Sequence, residues 1–336
     1  MKQDKITLAH GDGGKLSREL VEEIIYPIFT NNSGHPLNDA AVIKIEDANI
    51  AITTDSFVVS PIFFPGGDIG KLAACGTIND LAVSGAVPKY LSVGLIIEEG
   101  FLLEDLKKIL RSLAHTAVEA GVSVVTGDTK VVEKGNVDKI YINTTGVGII
   151  NKGISLDPSK IAVGDTIIIS GTVGDHGMAI LSKREGLAFG TEILSDCVPL
   201  NGLAGLLSAS GGVSCMRDPT RGGLAAVLIE LAAQSQTALE ISEEAIPLHP
   251  AVRASCEMLG LDPLYLVNEG KIVIFAKQGR EDEIMNILKK HPLGNDAKVI
   301  GKVFGKSNNG TVLLGTSLGA KRILSLFEGE HLPRIC

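Results

Sequence analysis

Asn49-Ile50-Ala51-Ile52-Thr53-Thr54-Asp55 reads as a β-strand that ends on an aspartate, and the segment from Asp68 to Ser84 after it reads as a helix. The exchange recurs on both sides. Upstream, Ser17 to Phe29 places apolar residues at 20, 21, 24, 25 and 28, the spacing of an amphipathic helix. Downstream, Leu103 to Ala120 gathers Leu106, Ile109, Leu110 and Leu113 on one helical face, and the β-branched run Val122 to Thr126 leads into Gly127-Asp128. Ile140 to Ile150 closes this half as a strand. After Asn151-Lys152-Gly153 the pattern restarts. Thr166 to Ser170 forms a strand that enters Gly171-Thr172-Val173-Gly174-Asp175-His176-Gly177 and then a helix. Val213 to Met216 forms a short strand that enters Arg217-Asp218-Pro219-Thr220-Arg221-Gly222-Gly223 and a helix to about Gln234. Thr311 to Gly315 and Arg322 to Phe327 read as a hairpin around Ser317-Leu318-Gly319-Ala320. Alternation of this kind predicts an α/β or α+β architecture, with glycine and aspartate placed where strands give way to helices and anions collect.

The chain has 336 residues, enough for two cores, and two domains are expected, over 1–150 and 151–327, followed by a mobile tail over 328–336. Gly329, within Glu328-Gly329-Glu330-His331, would give that tail its freedom. A net charge of -8 with 4% aromatic residues argues against nucleic acid, which needs a basic face and stacking platforms. Surplus acid suits metal ions instead. The amino terminus lacks an apolar signal segment, and the apolar region from Ile69 to Ile97 is broken by Lys71, Asp80 and Lys89, so a cytoplasmic protein without a membrane span is expected. The five cysteines show no Cys-x-x-Cys pairing, which argues against zinc and a disulfide framework. Cys75 and Cys256 read as core residues.

Standard nucleotide loops are absent. Gly66-Gly67-Asp68-Ile69-Gly70-Lys71-Leu72 has the wrong spacing for a P-loop and Leu where a hydroxyl should meet magnesium, and no segment satisfies Gly-x-Gly-x-x-Gly. What remains is a series of aspartates in short polar breaks: Asp39, Asp55, Asp80 and Asp128. Singly, each reads as well as a helix cap or turn former. Converging on one cleft, they would suit magnesium and triphosphate oxygens without a P-loop. Cys336, the last residue of Leu332-Pro333-Arg334-Ile335-Cys336, has no evident packing role and is placed for modification or transfer, although a dispensable thiol fits the position equally well.

Taken together, His10 to Lys15, Thr53 to Lys71, Gly76 to Ala82, Thr126 to Val132, Met216 to Gly223 and Leu332 to Cys336 resemble the HypE family of hydrogenase maturation proteins, over essentially the full chain and in order. The Thr-Thr-Asp and Asn-Asp strings are shared with aminoimidazole ribonucleotide synthetase, selenophosphate synthetase and thiamine-monophosphate kinase, whereas Pro-Arg-Ile-Cys is particular to HypE. The resemblance implies a two-domain, aminoimidazole ribonucleotide synthetase-like (PurM-like) α/β fold, dimerising through its amino-terminal sheets. It implies an ATP-dependent dehydratase that converts a carbamoyl group on Cys336, received from the carbamoyltransferase HypF, to a thiocyanate. The cyano group would pass to iron on the HypC-HypD complex. By motif, Asp39, Thr53, Thr54, Asp55, Asn79, Asp80, Thr126, Gly127, Asp128 and Asp218 are expected to hold ATP, with magnesium on Asp39, Asp55, Asp80 and Asp128. Cys336, Lys130 and Glu269 form the expected catalytic set, Lys130 from a loop and Glu269 as acceptor of a nitrogen proton. His176 reads as a structural or phosphate-contacting residue, and Arg334 as a guide for the tail. Two competing readings are a small-molecule ATP enzyme on the same fold, and a scaffold whose terminal thiol carries a metal or partner.

Overall fold

In the computed structural model, residues 5–29, 38–187, 192–327 and 334–336 are described. The expected Glu328 to His331 hinge lies outside them. The first sheet is built from β1 (Ala41–Ile45), β2 (Ala48–Phe57), β5 (Ala86–Glu98), β6 (Ser123–Val132) and β7 (Ile140–Ile150), in the order β1-β2-β7-β5-β6. Its pairings are antiparallel apart from β5 with β6. The short β3 (Phe63–Phe64) and β4 (Gly67–Asp68) form a separate ribbon. Against the sheet lie α3 (Ile69–Val83) and α4 (Leu103–Glu119), preceded in the chain by α1 (Lys15–Glu19) and α2 (Tyr26–Phe29), which a π-helical turn over Leu20–Ile25 joins.

The second sheet comprises β8 (Thr166–Ile169), β9 (Val213–Arg217), β10 (Thr237–Ser242), β11 (Val273–Ala276), β12 (Lys298–Lys306), β13 (Thr311–Gly315) and β14 (Lys321–Ile323). Its order is β14-β13-β10-β12-β8-β11-β9, antiparallel but for β10 with β13. The helices of this half are α5 (Asp175–Glu185), α6 (Asn201–Ala209), α7 (Gly223–Ser235), α8 (Pro250–Leu259) and α9 (Glu281–Lys289). Among the described residues no helix is long and apolar enough to cross a membrane.

α3 positions the site. The Asp68 carboxylate caps it by accepting from Gly70 and Lys71 N–H, and from Ile69 to Val83 every residue but Lys71 and Asp80 is buried. A helix apolar on all sides must be covered on all sides. Its one flank packs on β2, β5 and β7, and another on α6 of the second half. Cys75 and Ile78 accordingly share a core with Ile180, Cys197 and Val267 from the second half, and Ala82 and Val83 share another with Ile168 and Ile274. Cys256 is buried on α8 as expected.

The sequence reading differs in extent at several elements. β2 continues through Asp55 to Phe57, because its ladder with β7 pairs Asp55 with Thr144 and Phe57 with Ile142. β6 runs on through Gly127-Asp128 to Val132, held by the parallel ladder with β5, so Lys130 stands in a strand and not in a loop. β14 ends at Ile323 rather than Phe327.

Candidate active site

Asp39, Thr53, Thr54, Asp55, Asp80, Asp218, Glu269 and Cys336 line one cavity of about 420 Å³. The fold gathers them from distant places: Asp39 precedes β1, the threonines and Asp55 lie on β2, Asp80 on α3, Asp218 just beyond β9, and Glu269 in the loop before β11. One carboxylate oxygen from each of Asp39, Asp80 and Asp218 lies within 4.8 Å of the other two. The Thr53 hydroxyl donates to Asp80 Oδ2 at 2.8 Å, and Arg217 Nε meets Asp39 Oδ2 at 2.7 Å while its Nη1 stands 3.7 Å from Glu230. Asp218 Oδ2 is buried with no hydrogen-bond partner among the described residues.

Three carboxylates at this spacing cannot all hold their charge unaided. Burial, with the neighbouring charge of Asp39, pushes Asp218 up to about 8, and burial against the opposing pull of Arg217 leaves Asp39 at about 6. Burial and then the charges of Asp55, Asp218 and Asp39 raise Asp80 well above the carboxylate range. A hard divalent cation removes this conflict, since it prefers oxygen ligands and would satisfy the orphaned Asp218 oxygen.

Cys336 lines the same cavity. Its carbonyl accepts from Val58 N–H at 3.1 Å, Ile335 beside it is 3% exposed, and the side chain packs against the core of the first half. Burial pushes the thiol up to about 12, with Arg221 pulling the other way and Glu269 adding to the rise. Glu269 is itself buried, and burial raises its carboxyl well above the usual range. Its backbone is fixed: the Asp196 carboxylate accepts from Glu269 N–H at 3.0 Å, and Asp196 is in turn paired with Lys271 at 3.1 Å. Gly270 has to be glycine, because a Cβ there would stand 1.9 Å from the Asp196 carbonyl oxygen.

Five of the expected residues are placed elsewhere. Asn79 neighbours Asp80 in sequence, but one helical step turns its side chain into the second half. There it is fully buried, donating to the Val198 and Glu269 carbonyls at 3.1 and 3.2 Å and accepting from Leu200 N–H at 2.7 Å. It ties the halves together instead of touching the cavity. Thr126, Gly127, Asp128 and Lys130 stand on exposed β6, the edge strand of its sheet, and are not among the residues lining the cavity. Lys130 Nζ pairs with Asp128 Oδ2 at 2.8 Å, both side chains about 70% exposed. Gly127 has a structural reason, since a Cβ would stand 2.4 Å from the Val93 carbonyl oxygen of β5.

Sequence reasoning missed Arg217 and Arg221. Arg221 also lines the cavity, with Nη2 3.9 Å from Asp55 Oδ1. The two arginines flank Asp218 in the same strand-to-helix turn, and that spacing around a candidate ligand was the available signal.

Models of AIR synthase related proteins match this chain over residues 37–150 for the N-terminal domain and 162–313 for the C-terminal domain. Carbamoyl dehydratase HypE of Rhizobium leguminosarum bv. viciae is 48% identical over 334 residues, covering 99% of this chain and 95% of that protein. A crystal structure of a HypE-HypF complex matches with a TM-score of 0.87 at 47% identity, covering 92% of this chain and 99% of that one. A HypE structure in complex with ATP matches with a TM-score of 0.82 at 44% identity, covering 99% of this chain and all, 100%, of that one.

Proposed function

The chain belongs to the HypE family of carbamoyl dehydratases, and from that premise we propose that the group it dehydrates is a carbamoyl carried on the thiol of Cys336. It is an ATP-dependent enzyme of hydrogenase maturation, and the dehydration makes cyanide ligand. The observation that carries the Cys336 reading is the seat of that residue in one cavity with Glu269, Arg221, Asp55 and the three clustered aspartates.

In the proposed reaction the thiocarbamate carbonyl oxygen takes the γ-phosphoryl group of ATP and departs as phosphate, while the nitrogen gives up both its protons. The carbon–oxygen double bond is exchanged for a carbon–nitrogen triple bond, and the products are the thiocyanate, ADP and phosphate. Glu269 is the base. Its buried carboxyl has a high proton affinity and lines the same cavity as Cys336, and Asp196 holds its backbone. Arg221 is the cation on hand for the oxygen and the arriving phosphoryl group. Asp39, Asp80 and Asp218 would hold magnesium, which supplies charge neutralisation for the triphosphate; Thr53 orients Asp80 and Arg217 orients Asp39.

Burial in this seat disfavours the thiolate, and the proposed cycle loads Cys336 with Arg334 to Cys336 out of the seat and dehydrates with them in it. The HypE-HypF complex formed by a relative supports HypF as the donor. The HypC-HypD complex is the proposed cyanide acceptor. A homodimer is supported by β6, an exposed edge strand on which Val124, Val125 and Val131 are 44, 59 and 67% exposed. Pairing there would also place Thr126 to Lys130 at a subunit junction, the setting in which the Asp128 and Lys130 roles would be recovered.

The test is mass spectrometry of the peptide ending in Cys336 after incubation with HypF, carbamoyl phosphate and ATP. The expected result is a carbamoyl adduct that loses water only when this chain can use ATP with magnesium. No adduct on Cys336, with ATP consumed against a free small molecule, would overturn the reading.

A further inference from the structure

His176 is fully buried at the start of α5, edge-on to Phe64 at 5.5 Å, and both its ring nitrogens are engaged. Nε2 lies 3.0 Å from the Ile335 carbonyl oxygen and Nδ1 lies 2.8 Å from Ser195 Oγ. A carbonyl can only accept, so Nε2 carries the proton. Burial lowers the basicity of the ring and keeps it neutral, which leaves Nδ1 as an acceptor for the Ser195 hydroxyl. Ser195 Oγ in turn accepts from Cys197 N–H at 3.1 Å, and Ser195 N–H donates to the Pro65 carbonyl at 2.8 Å. The tautomer is therefore set by the Ile335 carbonyl, and Ser195, itself fixed on two sides, supplies the matching donor to Nδ1.

The rest of the seat holds the main chain in the same way, and the Arg334 guanidinium adds side-chain anchors, donating from Nε to the Val58 carbonyl at 3.0 Å and pairing through Nη1 with Asp138 at 2.8 Å. The Arg334 carbonyl accepts from Ser60 N–H at 3.1 Å and from Arg184 Nη2 at 2.6 Å, and the Cys336 carbonyl accepts from Val58 N–H. Arg184 Nε also donates to the Ser60 carbonyl at 2.8 Å, which joins α5 to both segments of this contact. Arg334 adopts a left-handed φ of 56°, a conformation that a non-glycine residue rarely takes and that the surrounding contacts must hold. Each of the last three carbonyls thus meets a donor that the body of the protein has already placed. His176 supplies the one next to the cysteine.

We infer that His176 is a positioning residue for the dehydration, holding the Ile335 carbonyl so that Cys336 is aimed at Glu269 and Arg221. It touches neither the thiol nor the nucleotide site. The inference rests on the reading of Cys336 as the carrier, but its first test does not.

The native chain is treated with limiting maleimide and the label on each cysteine peptide is followed with time. Cys75, Cys197, Cys215 and Cys256 are buried and report on folding within the same sample. Loss of one buried hydrogen bond from the seat, at about 1.4 kcal/mol, corresponds to roughly tenfold. His176→Ala is therefore expected to label Cys336 about tenfold faster with the other four thiols still protected. His176→Gln, whose amide can donate toward the same carbonyl, is expected to return most of the way to the wild-type rate. Wild-type labelling in the alanine variant, or a glutamine variant as fast as alanine, overturns the inference. Should His176→Ala expose the other thiols, Ser195→Ala is read instead: faster labelling of Cys336 alone supports the seat, and an unchanged rate overturns it. Single-turnover dehydration of pre-carbamoylated Cys336 should fall in the same order across the variants. Failure of the wild-type chain to dehydrate at all would count against the proposed reaction and leave the labelling result standing.

Discussion

Replacing Asn79 by alanine should unsettle the junction between the two halves before it affects nucleotide. The side chain makes three hydrogen bonds, all to main-chain groups of the segment 198–200 and Glu269, and it is fully buried. Alanine leaves Leu200 N–H as a buried donor without its acceptor, at about 1–3 kcal/mol, and removes two further bonds at about 1 kcal/mol each. The Glu269 carbonyl keeps a long contact from Val198 N–H at 3.5 Å, which offsets a part. The total is about 4 kcal/mol, a large share of the roughly 5–15 kcal/mol that holds a folded domain together. Urea unfolding followed by circular dichroism should show an earlier midpoint, and thermal unfolding should fall by about 10 °C. Asn79→Asp keeps the acceptor for Leu200 but sets a buried charge against two carbonyl oxygens, so it should lose at least as much near neutral pH. Stability within about 1 kcal/mol of wild type in Asn79→Ala, together with a selective loss of ATP affinity, would refute this reasoning and restore Asn79 to the nucleotide site.

Glu269→Gln should slow dehydration at least about a hundredfold while ATP binding is kept, as for loss of a general base. Because burial raises the Glu269 carboxyl, its base form accumulates only as pH rises beyond the ordinary carboxylate range, so the wild-type single-turnover rate should climb with pH and the glutamine variant should stay flat. The same rise has a stability consequence: the protonated carboxyl is favoured in the folded chain, so its contribution is present below the unfolded value of 4.5 and fades as pH climbs toward the raised folded value, a slope that differential scanning calorimetry should find missing in Glu269→Gln. Gly270→Ala must force its Cβ off the Asp196 carbonyl and should cost about 3 kcal/mol, read as a lower unfolding midpoint with activity lost in parallel; a fully active, equally stable variant would contradict the backbone placement of Glu269. Val125→Asp, on the exposed face of β6, should leave the fold intact and shift sedimentation toward the monomer, and an unchanged oligomer would exclude β6 as the contact.

Much of the fold was legible because it is written locally. The strand over Ile140–Ile150 follows from its β-branched residues and α4 from helical spacing, and the structure places these and α3 within a residue or two of their expected bounds. β5 was not read. Its Ala86–Glu98 run continues an apolar stretch begun in α3, and only the ladders with β7 and β6 fix it as a strand. The same division holds in the site. Asp39, Asp55, Asp80, Asp218, Glu269 and Cys336 could be named from residue type and motif, and they do line one cavity.

What the sequence determined by itself is the set of chemical groups and the alternation of strand and helix that carries them. Direction and company were decided by tertiary structure. Asn79 and Asp80 are adjacent in the chain, yet a helix turns successive side chains about a quarter of the way round, so one enters the cavity and the other clamps the second half. Asp128 and Lys130 read like their neighbours in motif, but the parallel ladder with β5 carries them to an exposed edge. Arg221, His176 and Ser195 acquire their roles only from Cys336 and Ile335, more than a hundred residues along the chain. Local pattern encodes conformation through short-range sterics and periodic burial. A partner brought close by the folding of the whole chain leaves no mark on the residues next to it in sequence.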